Sequence, residues 1–92
     1  MKETKVSREE IAAKIREFLD GKLSDKQLER WTMERIEYID QDRSDLMGWV
    51  SGHLLSIDDV EWRPVITREL LQYYIDCLIG KEEFDQDVAR SL

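Results

Sequence analysis

The stretch SREEIAAKIREFLDGKLSDKQLERW, residues 7–31, decides the fold because it holds two helix starts and one helix stop. Ser7-Arg8-Glu9-Glu10 and Ser24-Asp25-Lys26-Gln27 both fit the capping box, in which the Ser hydroxyl and the side chain three residues later each satisfy a free backbone N–H. Gly21 stands where a left-handed residue ends a helix. The link 21–24 is short enough to make the two predicted helices an antiparallel hairpin.

The same punctuation continues to the C-terminus. Ser44 and Thr67 precede two further apolar stripes, and Gly80 follows the second of them. The predicted helices cover residues 8–20, 25–40, 45–57 and 65–79. Phe84 and Val88 lie one helical turn apart and indicate a short docking helix or a frayed end. The sequence therefore predicts an all-α fold, a compact antiparallel bundle of four helices with a possible short C-terminal fifth helix.

The apolar stripes also predict the core. Its expected members are Ile11, Ile15, Phe18, Leu19, Leu28, Ile36, Ile39, Leu46, Val50, Leu54, Leu70, Leu71, Tyr74 and Leu78. The fourth stripe covers so much of its helix that this helix is either central in the bundle or covered by a second copy, and we favour the central position. We expect one domain over residues 1–92, with frayed ends at 1–6 and 85–92.

Charge limits the partners that this chain can bind. The net charge of the 92 residues is −7, and it is concentrated in residues 31–92, where six basic residues face fourteen acidic ones. Such a surface repels phosphates, so we expect no nucleic acid and no membrane as partner, and a basic protein instead. The start of the chain has no apolar signal segment, so we expect a cytoplasmic protein.

The residues that usually carry chemistry occur singly, so we expect no enzyme, metal site or cofactor. His53 and Cys77 are the only residues of their types and are interpreted as structural. Residues 40–45 begin like a calcium loop, but Asp45 replaces the required Gly and Ser51 replaces the required Glu. An acidic loop between helices explains this segment better.

Small residues give the third predicted helix an unusual face. Gly48 and Gly52 lie one turn apart, and Ser51 and Ser56 accompany them. Because interior helix glycines are destabilising, we expect close packing to compensate for them. The favoured contact is internal, with the first or fourth helix; the alternative is a second protomer, which would make the chain a homodimer through the Gly48/Gly52 face or the fourth helix.

The second predicted helix presents the best candidate for a partner-binding surface. Trp31, Arg35 and Tyr38 project to one side of its core stripe, and we name these three residues the ridge. Their residue types dominate the energetics of protein interfaces. Nearby carboxylates would attract a basic partner, namely Glu34, Asp40, Asp42 and Asp45. The alternative is that Trp31 belongs to the core and Arg35 lies along its ring within the monomer.

Two short patterns resemble known proteins. Gly21-Lys22-Leu23-Ser24 followed by Leu28 and Trp31 resembles the hairpin of small bacterial helical proteins of uncharacterised function, some of which are similar to toxin-immunity proteins. The pair Tyr73-Tyr74 resembles the Tyr-Tyr-Pro signature of nuclease-colicin immunity proteins, with Ile75 in place of the Pro. This resemblance implies a small acidic helical protein that inhibits a toxin by binding it, and it transfers no site residues.

The leading functional interpretation is therefore a non-catalytic protein-protein interaction module with an acidic surface, immunity-like or inhibitor-like in its sharpest form. A homo-oligomeric structural protein is the alternative. A helix-turn-helix DNA binder is a distant third, because Glu34, Glu37 and Asp40 would oppose binding to phosphates.

Overall fold

A computed structural model of the chain describes residues 6–38 and 45–92, without the side chains of Ile36 and Asp45. Its α-helices are α1 (Arg8–Leu19), α2 (Asp25–Arg35), α3 (Asp45–Leu55), α4 (Arg68–Leu78) and α5 (Gln86–Arg90), and a 3-10 turn (Ile36–Tyr38) follows α2. The described residues form no β-strand, and the prediction of an all-α fold is confirmed. No helix among them is long and apolar enough to cross a membrane.

The first two helices begin at the predicted capping boxes. The Ser7 hydroxyl accepts a hydrogen bond from the Glu10 N–H at 3.1 Å, and the Glu10 carboxylate accepts one from the Ser7 N–H at 3.1 Å. Ser24 and Gln27 form the same reciprocal pair at 3.1 and 2.8 Å. Each pair satisfies two N–H groups that the helix cannot satisfy itself.

Glycines end two of the helices. Gly21 follows α1 with a φ of 80°, and Gly80 follows α4 with a φ of 84°. In both places the next residue donates its N–H to a carbonyl of the last helical turn, from Lys22 to Glu17 at 2.9 Å and from Lys81 to Asp76 at 2.8 Å. A residue with a Cβ is strained at such a φ, so both glycines are required by the turn.

Helix α2 is shorter than the sequence predicts. The expected helix reaches Asp40, whereas the α-helix ends at Arg35 and tightens into a 3-10 turn. At the end of that turn the Tyr38 carbonyl accepts a hydrogen bond from the Val6 N–H at 3.0 Å. This bond comes from a residue that precedes α1 and holds the end of α2. Helical periodicity does not reveal such an interaction.

Helix α4 begins three residues later than predicted, and α3 ends two residues earlier. The Thr67 hydroxyl accepts from the Leu70 N–H at 3.0 Å, so Thr67 is the N-cap and Val65 precedes the helix. The segment between α3 and α4 is a series of turns whose ends are anchored by the fully buried Ile57 and Ile66. Turn bonds satisfy the backbone around Pro64, so helix is not needed there.

Helix α4 is the most extensively buried of the described helices. It packs along α1 and also contacts α3, while α2 packs against α3 and α1. The Arg68 guanidinium donates to the Leu19 carbonyl at 3.1 Å, so the start of α4 lies beside the end of α1 and the two helices are antiparallel. The buried residues of α4 are Leu70, Leu71, Tyr74, Ile75, Cys77 and Leu78. Its apolar surface is therefore used within the monomer, as the favoured alternative predicts.

The core differs from the predicted list in detail. Phe18 is only partly buried, because it lies at the edge of the bundle under the Arg63 guanidinium. Ile39 and the side chain of Ile36 lie outside the described residues. The buried apolar residues that the predicted list lacks are Val6, Ala12, Met47, Ile57, Ile66, Ile75, Cys77 and Ala89. Several of them lie in connections or at helix ends, where helical spacing gives no signal.

The C-terminal segment folds back on the bundle as α5. The Tyr73 hydroxyl donates to the Glu83 carbonyl at 2.9 Å and accepts from the Asp85 N–H at 2.8 Å. Ala89 is buried, while Val88 is 40% exposed. The fifth helix is thus present, but the residue that packs on the core from it is Ala89 and not the expected Val88.

The expected internal contact at Gly48 and Gly52 is wrong. In the described part of the chain, a Cβ built on either glycine would have no atom within 4 Å apart from the local helix backbone, and both residues are exposed. Helix α3 buries its other side, which includes Met47, Val50 and Leu54. Nothing among the described residues compensates for the low helix propensity of the two glycines.

We predict opposite effects for the same substitution at two glycines. Gly52→Ala should raise the free energy of unfolding by about 1 kcal/mol, because Ala is the better helix former and the site is open. Gly21→Ala should lower it by about 1 kcal/mol, because a Cβ is strained at a φ of 80°. Urea unfolding of both variants measures the two changes. A loss of stability in Gly52→Ala would show that this face is covered.

Candidate partner-binding surfaces

The structure brings Trp31 and Arg35 of the ridge into direct contact. The guanidinium carbon of Arg35 lies 5.0 Å from the centre of the Trp31 ring, and the Lys14 ammonium of α1 lies 6.0 Å from it. Arg35 also donates to the Trp31 carbonyl at 3.3 Å. Trp31 is partly buried against the core. The interpretation in which Arg35 lies along Trp31 within the monomer therefore agrees with the observed geometry of this pair.

Tyr38 is the accessible member of the ridge. Its side chain is 47% exposed, while its backbone is held by the bond from Val6. An exposed aromatic ring on a fixed backbone is well suited to an interface, because little side-chain freedom is lost when it is covered. The sequence did not single out Met33 of α2, which is 56% exposed.

The acidic residues around the ridge are only partly described. Glu34 is exposed, with a carboxylate 3.5 Å from the Arg35 guanidinium, and Glu37 is exposed on the 3-10 turn. Asp40 and Asp42 lie outside the described residues, as does the side chain of Asp45. The described part of the ridge thus carries both signs of charge, with Arg35 at its centre and carboxylates beside it.

A second surface lies on α3, where the two glycines form the floor of a groove. Its volume is about 300 Å³, and we name it the aromatic groove. Its lining residues are Gly48, Trp49, Gly52, His53, Ser56 and Trp62. Sequence reasoning missed this site, because Trp62 reaches it from the connection between α3 and α4. The nearest signal in the sequence was the small-residue face of α3.

His53 connects the groove to the core. Its Nδ1 lies 2.5 Å from the hydroxyl of the fully buried Tyr74, and its ring stands perpendicular to Trp49 with centroids 5.9 Å apart. Burial lowers the pKa of His53 below its usual value of 6.5, and burial raises the pKa of Tyr74. Both groups are therefore neutral near pH 7, and the pair positions the wall of the groove.

Cys77 and Ser51 offer no reactive site. Cys77 is a buried free thiol, and burial raises its pKa, which keeps it in the unreactive thiol form. The Ser51 hydroxyl is buried without a hydrogen-bond partner among the described residues. In the described part of the chain, no three His, Cys, Asp or Glu residues are grouped so that they could hold a metal ion.

A wider depression of about 890 Å³ lies between the end of α4 and α5. Its charged lining residues are Lys81, Glu82, Glu83, Asp85 and Asp87, so it is strongly acidic. Phe84 turns inward there and packs on Trp49 with ring centroids 5.6 Å apart. The depression is charged, but the Phe84 ring that lines it packs against the core.

No family model, curated protein or solved structure matches this chain.

We predict that His53 makes stability depend on pH. Because its folded pKa is below 6.5, the unfolded chain takes up a proton first as the pH falls, and the free energy of unfolding decreases below about pH 6.5. Urea unfolding at pH 7.5, 6.5 and 5.5 should show a larger loss for the wild type than for His53→Gln. Equal losses in the two proteins would show that His53 is not buried as a neutral group.

Proposed function

We propose that this protein is a non-catalytic interaction module that binds a basic protein partner through the ridge of Trp31, Arg35 and Tyr38. The observation that carries the proposal is the exposure of Tyr38, 47%, on a backbone whose carbonyl accepts a hydrogen bond from the Val6 N–H. In the bound state the partner would cover the Tyr38 ring. Burial of the ring supplies the affinity.

Charge is the second support for a basic partner. The chain carries a net charge of −7, and exposed Glu34 and Glu37 stand beside the ridge. Carboxylates at the edge of an interface mainly accelerate association and select the sign of the partner. Asp40, Asp42 and Asp45 follow in the sequence and would extend this acidic edge.

The sharpest form of this proposal is an immunity-like or inhibitor-like role. A small acidic helical protein can neutralise a basic toxin or enzyme by covering its surface, without chemistry of its own. The weak resemblance of residues 21–31 and of the Tyr73-Tyr74 pair to such proteins motivates this form. Both tyrosines have structural roles, since Tyr74 is buried in the core and the Tyr73 hydroxyl bonds the backbone before α5.

The alternative is a homo-oligomer formed through the Gly48/Gly52 face. The observation that favours it is the open face itself, since no described atom covers either glycine. Charge opposes it, because two copies of a chain with a net charge of −7 repel each other. Light scattering after size exclusion distinguishes the two, since an 11.0 kDa particle at high concentration excludes the oligomer.

We predict that Tyr38→Ala weakens partner binding by more than about 1 kcal/mol without unfolding the chain, because an exposed ring is lost. Glu37→Gln should mainly slow association and reduce its dependence on salt. The partner is first isolated at low salt on the immobilised protein, and binding is then measured by surface plasmon resonance. Ile79→Ala is the matched control, because Ile79 is also about half exposed, 52%, but lies at the end of α4.

Two outcomes would contradict the proposal. One is the absence of a stoichiometric basic partner at low salt. The other is an equal effect of Tyr38→Ala and Ile79→Ala on affinity, which would remove the ridge from the interface.

A further inference from the structure

The aromatic groove has a floor at the level of the backbone and walls of aromatic rings. Gly48 and Gly52 provide the floor, because among the described residues no atom outside the local helix backbone lies within 4 Å of either Cβ position. Trp62 is 49% exposed and Trp49 is half-buried, and both line the groove. A flat group that enters can contact aromatic surface and meets no side chain on the two glycines.

The segment that connects two lining residues of the groove is acidic. Ser56 and Trp62 both line the groove, and the chain between them carries Asp58, Asp59 and Glu61, all exposed. Turn bonds fold this segment tightly, from the Asp59 N–H to the Ser56 carbonyl at 3.0 Å and from the Trp62 N–H to the Asp59 carbonyl at 3.1 Å. Three carboxylates are thereby held within a few residues of an exposed tryptophan.

The nearest basic residue in the sequence, Arg63, does not pair with the carboxylates of this acidic segment. The Arg63 guanidinium donates to the Ile66 carbonyl at 2.8 Å and lies 5.3 Å from the centre of the Phe18 ring. Arg90 of α5 approaches the Trp49 ring, but it pairs with Asp87 at 3.7 Å, so that pair adds no net charge. The aromatic surface of the groove is therefore followed in the chain by a segment with three exposed carboxylates.

Among the described residues, the cations that lie over aromatic rings are mostly guanidinium groups, and the exception is the Lys14 ammonium at 6.0 Å from the Trp31 ring. Three guanidinium groups lie over aromatic rings, Arg35 on Trp31 at 5.0 Å, Arg63 on Phe18 at 5.3 Å and Arg90 on Trp49 at 5.7 Å. A guanidinium is flat, stacks on indole and pairs with carboxylates through a fork of N–H donors. Aromatic walls beside carboxylates are complementary to such a group.

We propose that the aromatic groove binds an arginine side chain of a basic partner protein, stacked on Trp62 and paired with the carboxylates of Asp58 and Glu61. This inference shares with the proposed function only the basic character of the partner, since it uses none of the ridge residues. A second copy is a poorer occupant, because two chains that each carry a net charge of −7 repel each other.

The test uses the full chain and an acetylated peptide of alternating glycine and arginine, titrated calorimetrically at low salt. A peptide of the same length with citrulline in place of arginine has the same shape without the charge. The arginine peptide should bind, and the citrulline peptide should bind at least about tenfold more weakly. Equal binding of the two peptides would overturn the proposal.

Variants of the groove locate the binding. Trp62→Ala removes an aromatic wall of the groove, and Gly52→Leu places a side chain on its floor. Each variant should bind the arginine peptide about tenfold more weakly than the wild type. Both positions are exposed and open, so the variants should fold, which circular dichroism checks. Tyr38→Ala should leave peptide binding unchanged. If Tyr38→Ala abolished peptide binding and the groove variants retained it, the peptide would bind at the ridge. That result would overturn the proposal.

A matched pair of charge variants separates a site from general attraction. The double variant Asp58→Asn with Glu61→Gln should weaken the peptide, whereas Glu82→Gln with Glu83→Gln removes the same charge from the α4–α5 depression and should have little effect. Equal effects of the two double variants would show non-specific attraction and overturn the proposal.

The three tryptophans provide an independent readout. In an NMR spectrum of the indole N–H groups, the arginine peptide should shift the Trp49 and Trp62 signals and leave the Trp31 signal in place, because Trp31 belongs to the ridge. A shift of Trp31 alone would contradict the proposal. If the wild type formed a dimer and Gly52→Leu dissociated it, the occupant of the groove would be a second copy of the chain. That result would also overturn the proposal.

Discussion

The structure depends on the burial of the apolar surface of α4 (Arg68–Leu78) against α1 and α3. Leu71 and Tyr74 on this helix are fully buried, and each withdraws a large apolar surface from water. Because α4 contributes so many buried residues, the other helices need only one apolar face each, and their outer faces are free for charge. A short chain in which 38% of the residues are charged can therefore still form a core.

The position of α4 also determines where the candidate surfaces lie. Tyr74 reaches from the core to His53, whose ring stands against Trp49 in the wall of the aromatic groove. Tyr73 holds the segment before α5, which brings Phe84 against Trp49 from the other side. The aromatic residues of α3 are thus fixed by contacts with α4 and with the segment that follows it. The ridge is fixed separately, by α1 beneath Trp31 and by the bond from Val6 to Tyr38.

Both surfaces present aromatic rings and have exposed carboxylates nearby in the sequence, but they differ in the contacts that their residues make within the chain. On the ridge, Trp31 already stacks with Arg35, so Tyr38 is the ring that remains accessible. In the groove, the glycine floor lowers helix stability and no described contact compensates for it. A feature that costs stability without internal benefit is expected at functional sites, where binding rather than folding determines the residue. This contrast makes the groove the more informative target for mutagenesis.

The sequence by itself determined the helical class, the capping boxes at Ser7 and Ser24, and the glycine stops, because each depends on hydrogen bonds within a few residues. It also indicated the extensive burial of α4, whose apolar surface is wider than a single face. Only the tertiary structure decided the end of α2, the open face of Gly48 and Gly52, and the aromatic groove. These features depend on contacts between residues far apart in the chain, such as Val6 with Tyr38 or Trp62 with the face of α3, and local periodicity carries no information about them.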